Sequence, residues 1–379
     1  MRDLTLPVGG KVPAMTSTHA TVTHAPLDLH GDVVALTRAL CDIESVSGTE
    51  GPIADAVEAA LRDVGHLEVL RDGDAVVART HLGRAERVVL AGHLDTVPIA
   101  ANLPTWTTGA GDDEILHGRG TVDMKGGVAV YLKLAAKVRE PRRDVTFVFY
   151  DNEEVASVRN GLGRLVRNHP DWLAGDFAVV GEPSNFTVEG GCQGTMRIRI
   201  TLTGRAAHTA RSWRGINAIH AAADLLDILK NYQPRTVEVD GLEYREGLNA
   251  VAIQGGIAGN VVPDQCYVDI NHRFAPDRDI AAAEAHLRET FAGYDFEIRD
   301  AADSARPGLD HPAAVEFLTA VGRPTAPKFG WTDVARFASL GMPAVNYGPG
   351  DSMLAHTDEE QVSTAALREY ERELTTWLS

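Results

Sequence analysis

From about residue 29, short apolar runs alternate with stretches whose apolar residues recur every three or four positions. Residues 32–43 and 52–64 carry the helical spacing. Residues 67–70, 75–78 and 87–91 are strand-like runs. An apolar helix is predicted at 127–138, a strand at 145–150, a helix at 161–167 and a strand at 177–181. Short apolar strands between helices predict a mostly parallel sheet with helices on both faces, the α/β class.

The pattern changes after GGCQG at 190–194. Residues 196–202, MRIRITL, alternate strictly, as a strand with one buried face should. A helix at 218–232, strands at 248–257 and 265–274, a helix at 280–291 and a strand at 294–299 follow. That order is βαββαβ, the ferredoxin-like unit. Beyond Pro307 and Gly308 the chain returns to helix, strand (344–347) and helix (363–378). The expected division is a flexible N-terminal extension at 1–28, a main domain from 29–194 and 307–379, and an inserted domain at 195–306.

Composition narrows the function classes. A chain of 379 residues, 44% hydrophobic and 23% charged, is ordinary globular material and large enough for two domains. A formal net charge of −17 argues against nucleic acid and anionic membranes as partners, because both need basic surface. The 3 cysteines are far apart and form no CxxC pair. Neither a disulfide framework nor a thiolate zinc site is indicated, and a reducing cytoplasm fits. No apolar run reaches the roughly 18 residues of a membrane span. The N-terminal stretch lacks the apolar core of a signal peptide, and Met15 is a second candidate start.

Ligands of α/β sheets bind beyond the carboxyl ends of the strands. There the chain places polar groups repeatedly. GHLDTVP supplies His93 and Asp95, and FVFYDNEEV supplies Glu153 and Glu154. Glu182 follows FAVVG, and His356 lies in LAHTDEE. Asp123 in GRGTVDMKGG precedes a glycine pair that opens a helix. A lone His or acid at a strand end is usually a turn residue or a helix cap. Five segments converging on one rim instead make a zinc-type ligand set. With His93, Asp123, Glu154, Glu182 and His356 as ligands, three negative charges face two dications, and a hydroxide would cancel the remainder. Successive side chains of extended backbone point opposite ways, so if one of Glu153 and Glu154 binds metal the other is free to act as general base. Asp95, two residues after His93, is placed to hydrogen-bond its imidazole. Rival chemistries are weaker. Lys125 lacks the GxxxxGK[ST] context of a phosphate loop, and no GxSxG elbow appears. Cys192 reads as a buried thiol more readily than as a nucleophile. His66, His81, His117, His169, His286 and His311 read as surface residues without acid partners.

GHLDTVP, GRGTVDMKGG, NEE, GEPS and AHTDEE, in that order, resemble the co-catalytic zinc exopeptidases and amidohydrolases, from about residue 29 to the end. The resemblance implies two Zn2+ per subunit, with Co2+ or Mn2+ as possible substitutes. It implies Asp123 as the bridging carboxylate, His93 and Glu182 on one zinc, Glu154 and His356 on the other, Glu153 as general base and Asp95 as the acid orienting His93. It also implies a cis Asp123–Met124 peptide. In the inserted domain, GRAAHTA resembles the segment whose histidine, here His208, enters the active site of the other subunit of a homodimer. The matching substrate-clamp positions are Asn260 and Arg273, the latter suited to a carboxylate. Arg211, Arg214 and Arg336 are further candidates.

Within this superfamily, KFGWTDVARF and NYGPGDSMLAHTDEE look most like the desuccinylase branch of the actinobacterial kind. That likeness implies hydrolysis of the amide of N-succinyl-LL-2,6-diaminopimelate, in lysine and diaminopimelate biosynthesis. Trp331 stands where many desuccinylases have a small residue, and Thr-Asp-Glu-Glu follows His356 where others have an Asn–Glu pair. The alternative is another N-acyl amino acid amidohydrolase, such as acetylornithine deacetylase, or a dipeptidase.

Overall fold

The structure, a computed structural model, describes residues 25–379. Most of the expected N-terminal extension lies outside the described residues. Of its last residues, Leu27 is buried in the main core.

The central sheet has eight strands. Arg87–His93 runs parallel to Asp144–Tyr150 on one side and to Phe177–Val180 on the other, and Ala344–Asn346 extends the parallel run. The hairpin Glu68–Asp72 and Ala75–Arg79 adds antiparallel strands at one edge. Val188–Gly190 and Thr325–Pro327 add a pair at the other edge. Asp144–Tyr150 is buried along its whole length, as expected of a strand covered on both faces. One core cluster joins the helices Val33–Cys41, Gly51–Val64, Lys125–Lys137, Pro312–Val321 and Thr364–Leu378 to one face. A second cluster, including Leu162, Leu165 and Phe337, covers the other face.

A four-stranded antiparallel sheet forms separately from Gly194–Thr203, Gly247–Gly255, Gln265–Phe274 and Phe296–Ala302. Its spatial order is second, third, first, fourth along the chain, with the helices Ala218–Asn231 and Ile280–Thr290 packed on it around their own core. That is the predicted βαββαβ unit. The burial of Gly194–Thr203 alternates, which is why its period was readable. The hairpin of Thr236–Val239 and Leu242–Arg245, and a small sheet of Trp106–Thr108, Ile115–His117 and Gln361–Ser363, are additions to the predicted elements. Runs of two to four residues are too short to show a period.

Among the described residues, no helix is long and apolar enough to cross a membrane. Two of the supposed surface histidines have acid partners: His81 Nε2 is 2.7 Å from Glu68, and His169 Nε2 is 3.2 Å from Asp72. Sequence patterns missed these pairs because one partner lies on a neighbouring strand and the other nearly a hundred residues away in the chain.

Candidate metal centre

His93 ends its strand at the rim of the central sheet, fully inside the protein. Its Nδ1 meets the main-chain carbonyl of Asp95 at 2.9 Å, which turns Nε2 toward Asp123 Oδ1, 3.1 Å away. Glu182 Oε1 is 4.0 Å from the same Nε2. On the other side of Asp123, Oδ2 lies 3.2 Å from His356 Nε2, and His356 in turn lies 2.9 Å from Glu154 Oε1. Two groups of potential ligands therefore share Asp123: His93, Asp123 and Glu182, and Asp123, Glu154 and His356. Each oxygen of one carboxylate serves a different group, which is the arrangement of a bridging ligand.

Glu153 and Glu154 differ from expectation in how they are held. The strand stops at Tyr150, and Asn152 has φ 58°, so the backbone turns rather than extends. Both side chains reach the same region, with His93, Glu153 and Glu154 forming a third close group. Their different surroundings, not strand alternation, separate them: Glu154 sits against His356, and Glu153 does not. Asp95 holds this turn. Its carboxylate accepts the N–H of Glu153 at 3.0 Å, the N–H of Glu154 at 3.1 Å and the hydroxyl of Ser47 at 2.7 Å. Its carboxylate is 3.6 Å from His93 Nδ1, so the orienting contact is made by its carbonyl.

The electrostatics are those of a site short of positive charge. Burial opposes a charge on His93, yet the hydrogen bond to Asp123 and the nearby carboxylates raise its pKa. Hydrogen bonds to Asp123 and Glu154 push His356 up to about 10. Burial, reinforced by Asp123, pushes Glu182 up to about 8. Burial also raises Glu153 well above the carboxylate range. Left to themselves these groups collect protons; dications would do the same work. The donor set of imidazole nitrogens and carboxylate oxygens therefore fits two zinc-type ions.

Several residues that shape the site escaped sequence reasoning. Glu360 is buried, accepts the N–H of Val122 at 3.2 Å and of Asp123 at 3.1 Å, and pairs with Arg119 at 2.8 Å. It stood in the quoted AHTDEE but carried no distinguishing signal there. Lys125 donates its buried ammonium to the carbonyls of Leu40 and Ile43, at 3.2 and 2.9 Å, and braces the Asp123 loop. The Asp123–Met124 peptide is cis. Gly127 allows the following helix to approach: a Cβ there would lie 2.6 Å from the carbonyl oxygen of Gly181, next to Glu182. Asp333 is wholly buried and accepts from Asn160 at 3.0 and 3.1 Å.

A cavity of about 330 Å³ opens on the cluster, lined by Asp123, Glu153, Glu154, Glu182 and His356 together with Lys328 and Trp331. Burial works against the charge on Lys328, but Glu189 and Glu182 outweigh it and raise its pKa. His208, Asn260 and Arg273 do not line this cavity. His208 pairs across a two-residue ladder with Val261, and Thr209 N–H donates to the Asn260 carbonyl at 3.0 Å, so these two sit together on the insertion. Arg273 lies opposite Thr195 in the insertion sheet. Arg336 donates to Ser157 at 2.6 Å and is engaged within the main lobe. Cys192 is buried, and that burial pushes its thiol up to about 11, away from nucleophile chemistry.

Residues 89–378 match the pattern of peptidase family M20/M25/M40. The chain is 55% identical over 339 residues to a Mycobacterium tuberculosis protein provisionally named succinyl-diaminopimelate desuccinylase, covering 89% of this chain and 95% of that one. It is 46% identical over 346 residues to the succinyl-diaminopimelate desuccinylase of Corynebacterium glutamicum, covering 88% and 93%. In fold it is similar to a tripeptidase from Staphylococcus aureus, with TM-score 0.74, 21% identity and coverage of 93% and 98%. It is likewise similar to an M20 family metallo-carboxypeptidase from Sulfolobus solfataricus, with TM-score 0.74, 14% identity and coverage of 92% and 98%.

Proposed function

The chain belongs to peptidase family M20/M25/M40, and from that premise we propose that it hydrolyses N-succinyl-LL-2,6-diaminopimelate to succinate and LL-2,6-diaminopimelate. The observation that carries the reading is Asp123, whose two oxygens face separate histidine–glutamate groups. His93 and Glu182 would hold one Zn2+, Glu154 and His356 the other, and Asp123 both; Co2+ or Mn2+ can occupy the same donors. Bound dications supply Lewis-acid polarisation of the amide carbonyl and lower the pKa of water at the site toward about 7.

The chain's own groups do the remaining work. Glu153 stands beside the ligands without being needed as one. It takes the proton of the attacking water and passes it to the departing amine. Asp95 fixes the main chain of Glu153 and Glu154, so base and ligand keep their spacing. Arg273, opposite Thr195 in the insertion sheet, would receive a substrate carboxylate, with Asn260 as a second contact on the insertion.

A homodimer completes the site. The strand Gly247–Gly255 is an edge strand, and it exposes Val251 at 59% and Ile253 at 48%. Ile219 and Leu226 on the Ala218–Asn231 helix are exposed too. An open edge beside apolar side chains supports pairing with a second copy. His208 Nδ1 accepts from Ala210 N–H at 3.0 Å, which leaves the other ring nitrogen free. In the dimer, His208 of the partner subunit meets the charge that develops on the carbonyl oxygen. The small-molecule substrate and three unpaired cysteines accord with a cytoplasmic enzyme.

Side-by-side hydrolysis of N-succinyl-LL-2,6-diaminopimelate, N-acetylornithine and a dipeptide, with and without chelator, tests the reading. Chelator-sensitive turnover that favours the succinylated substrate is expected. Preference for N-acetylornithine or the dipeptide would replace the proposed substrate, and chelator-resistant turnover would remove the metal.

A further inference from the structure

The cavity beside the ligand cluster is lined by four carboxylates, Asp123, Glu153, Glu154 and Glu182. Among the described lining residues, Lys328 is the one lysine or arginine. It directly follows the edge strand Thr325–Pro327, and the Gln193 N–H donates to its carbonyl at 3.2 Å. Its ammonium is 2.7 Å from Glu189 Oε2, and the side chain keeps 14% exposure. An ammonium has three N–H donors, and Glu189 engages one side of it. Trp331 is fixed next to it: the indole N–H donates to the Asp303 carbonyl at 3.1 Å, and the Arg336 guanidinium lies 5.3 Å from the ring centre.

A lysine on the wall of a cavity that takes two dications is repelled by them. An anion between metals and ammonium is attracted from both sides, whereas an uncharged group leaves the repulsion standing. A succinyl group has the matching shape. Its free carboxylate lies three bonds from the scissile carbonyl carbon, on the order of 4 Å, by ordinary bond lengths. Resting on the function proposed above, we infer that Lys328 binds the free carboxylate at the end of the substrate's acyl chain, with Trp331 as the wall beside it. Lys328 thereby selects dicarboxylic over simple acyl groups, and Arg273 is left for the amino-acid end.

The test compares wild type, Lys328→Met and Lys328→Arg on N-succinyl and N-acetyl derivatives of one amino acid, with metal content measured for each. Succinate and acetate serve as competitive inhibitors. Lys328→Met is expected to raise KM for the succinylated substrate, and weaken succinate inhibition, by about tenfold to a hundredfold, the effect of losing one charge-assisted hydrogen bond. KM for the acetylated substrate, acetate inhibition and metal content should stay within about twofold, and Lys328→Arg should keep most of the preference. Equal losses on both substrates, no loss on either, or a loss explained by departed metal would overturn the assignment. If Lys328→Met does not fold, wild-type inhibition decides: succinate no tighter than acetate overturns it. Failure of wild type to cleave either substrate would sink the proposed function, while the succinate and acetate comparison would still report on Lys328.

Discussion

Glu360 binds no metal in the arrangement above, yet its removal should disable the centre. Its carboxylate accepts the main-chain N–H groups of Val122 and Asp123 and faces Arg119 at 2.8 Å. The two side chains are 1% and 3% exposed. Glu360→Ala strands a buried guanidinium and two buried amides. Breaking one side of a buried ion pair costs about 3–5 kcal/mol. Glu360→Gln keeps an acceptor for the amides and loses only the charge, so about 1.5–3 kcal/mol is expected. Arg119→Met combined with Glu360→Gln should cost less than the sum of the two single changes, because no charge is left alone. Urea unfolding followed by tryptophan fluorescence measures each, and a zinc titration of the folded variants measures the consequence for Asp123. Loss of the backbone contact should weaken metal binding in the order Ala, Gln, wild type. Stability within about 0.5 kcal/mol of wild type, with unchanged metal stoichiometry, would refute the bracing argument.

Glu153→Gln should retain fold and metal while turnover falls about 10²- to 10⁴-fold, the range for loss of a general base; near-normal turnover would assign the role elsewhere. Gly127→Ala should cost about 1–3 kcal/mol in chemical denaturation and lower activity, since the added Cβ meets the Gly181 carbonyl at 2.6 Å and pushes on Glu182. Stability should also fall with acid through His272, a fully buried ring whose nitrogens have no hydrogen-bond partner. Burial depresses it from 6.5 to about 4, against the field of Glu246 and with that of His286, Arg278 and Arg235. The unfolded chain takes up this proton near pH 6.5 and the folded chain only near 4, so about 3 kcal/mol is lost as pH falls across that interval. His272→Phe should flatten that part of the stability profile, and an unchanged profile would contradict it.

Much of the architecture was legible because it was periodic. The strand Gly194–Thr203 alternates in burial residue by residue, and the long apolar run of Asp144–Tyr150 announces a doubly covered strand. The edge strands Val188–Gly190 and Thr325–Pro327 were not legible, since their pairing depends on neighbours far along the chain. His93, Glu154 and Glu182 were visible because each stands at or just past the end of an apolar run, whereas Asp123 and His356 were visible only within their motifs, GRGTVDMKGG and LAHTDEE. The extended geometry expected of Glu153 and Glu154 does not hold: Asn152 turns the chain, and Asp95 rather than strand pleat holds both residues.

The order of apolar runs and the kinds of polar residue at their ends were determined by the sequence alone. Burial makes a strand apolar wherever it lies, and ligand chemistry allows few side chains. What the tertiary structure decided is which groups share space. Glu360 against the Asp123 amides, Lys328 on the cavity wall and the carbonyl rather than the carboxylate of Asp95 on His93 are contacts between segments distant in sequence or between alternative atoms of one residue. No local pattern encodes such choices, because their energies exist only once the packed chain has excluded water and fixed the distances.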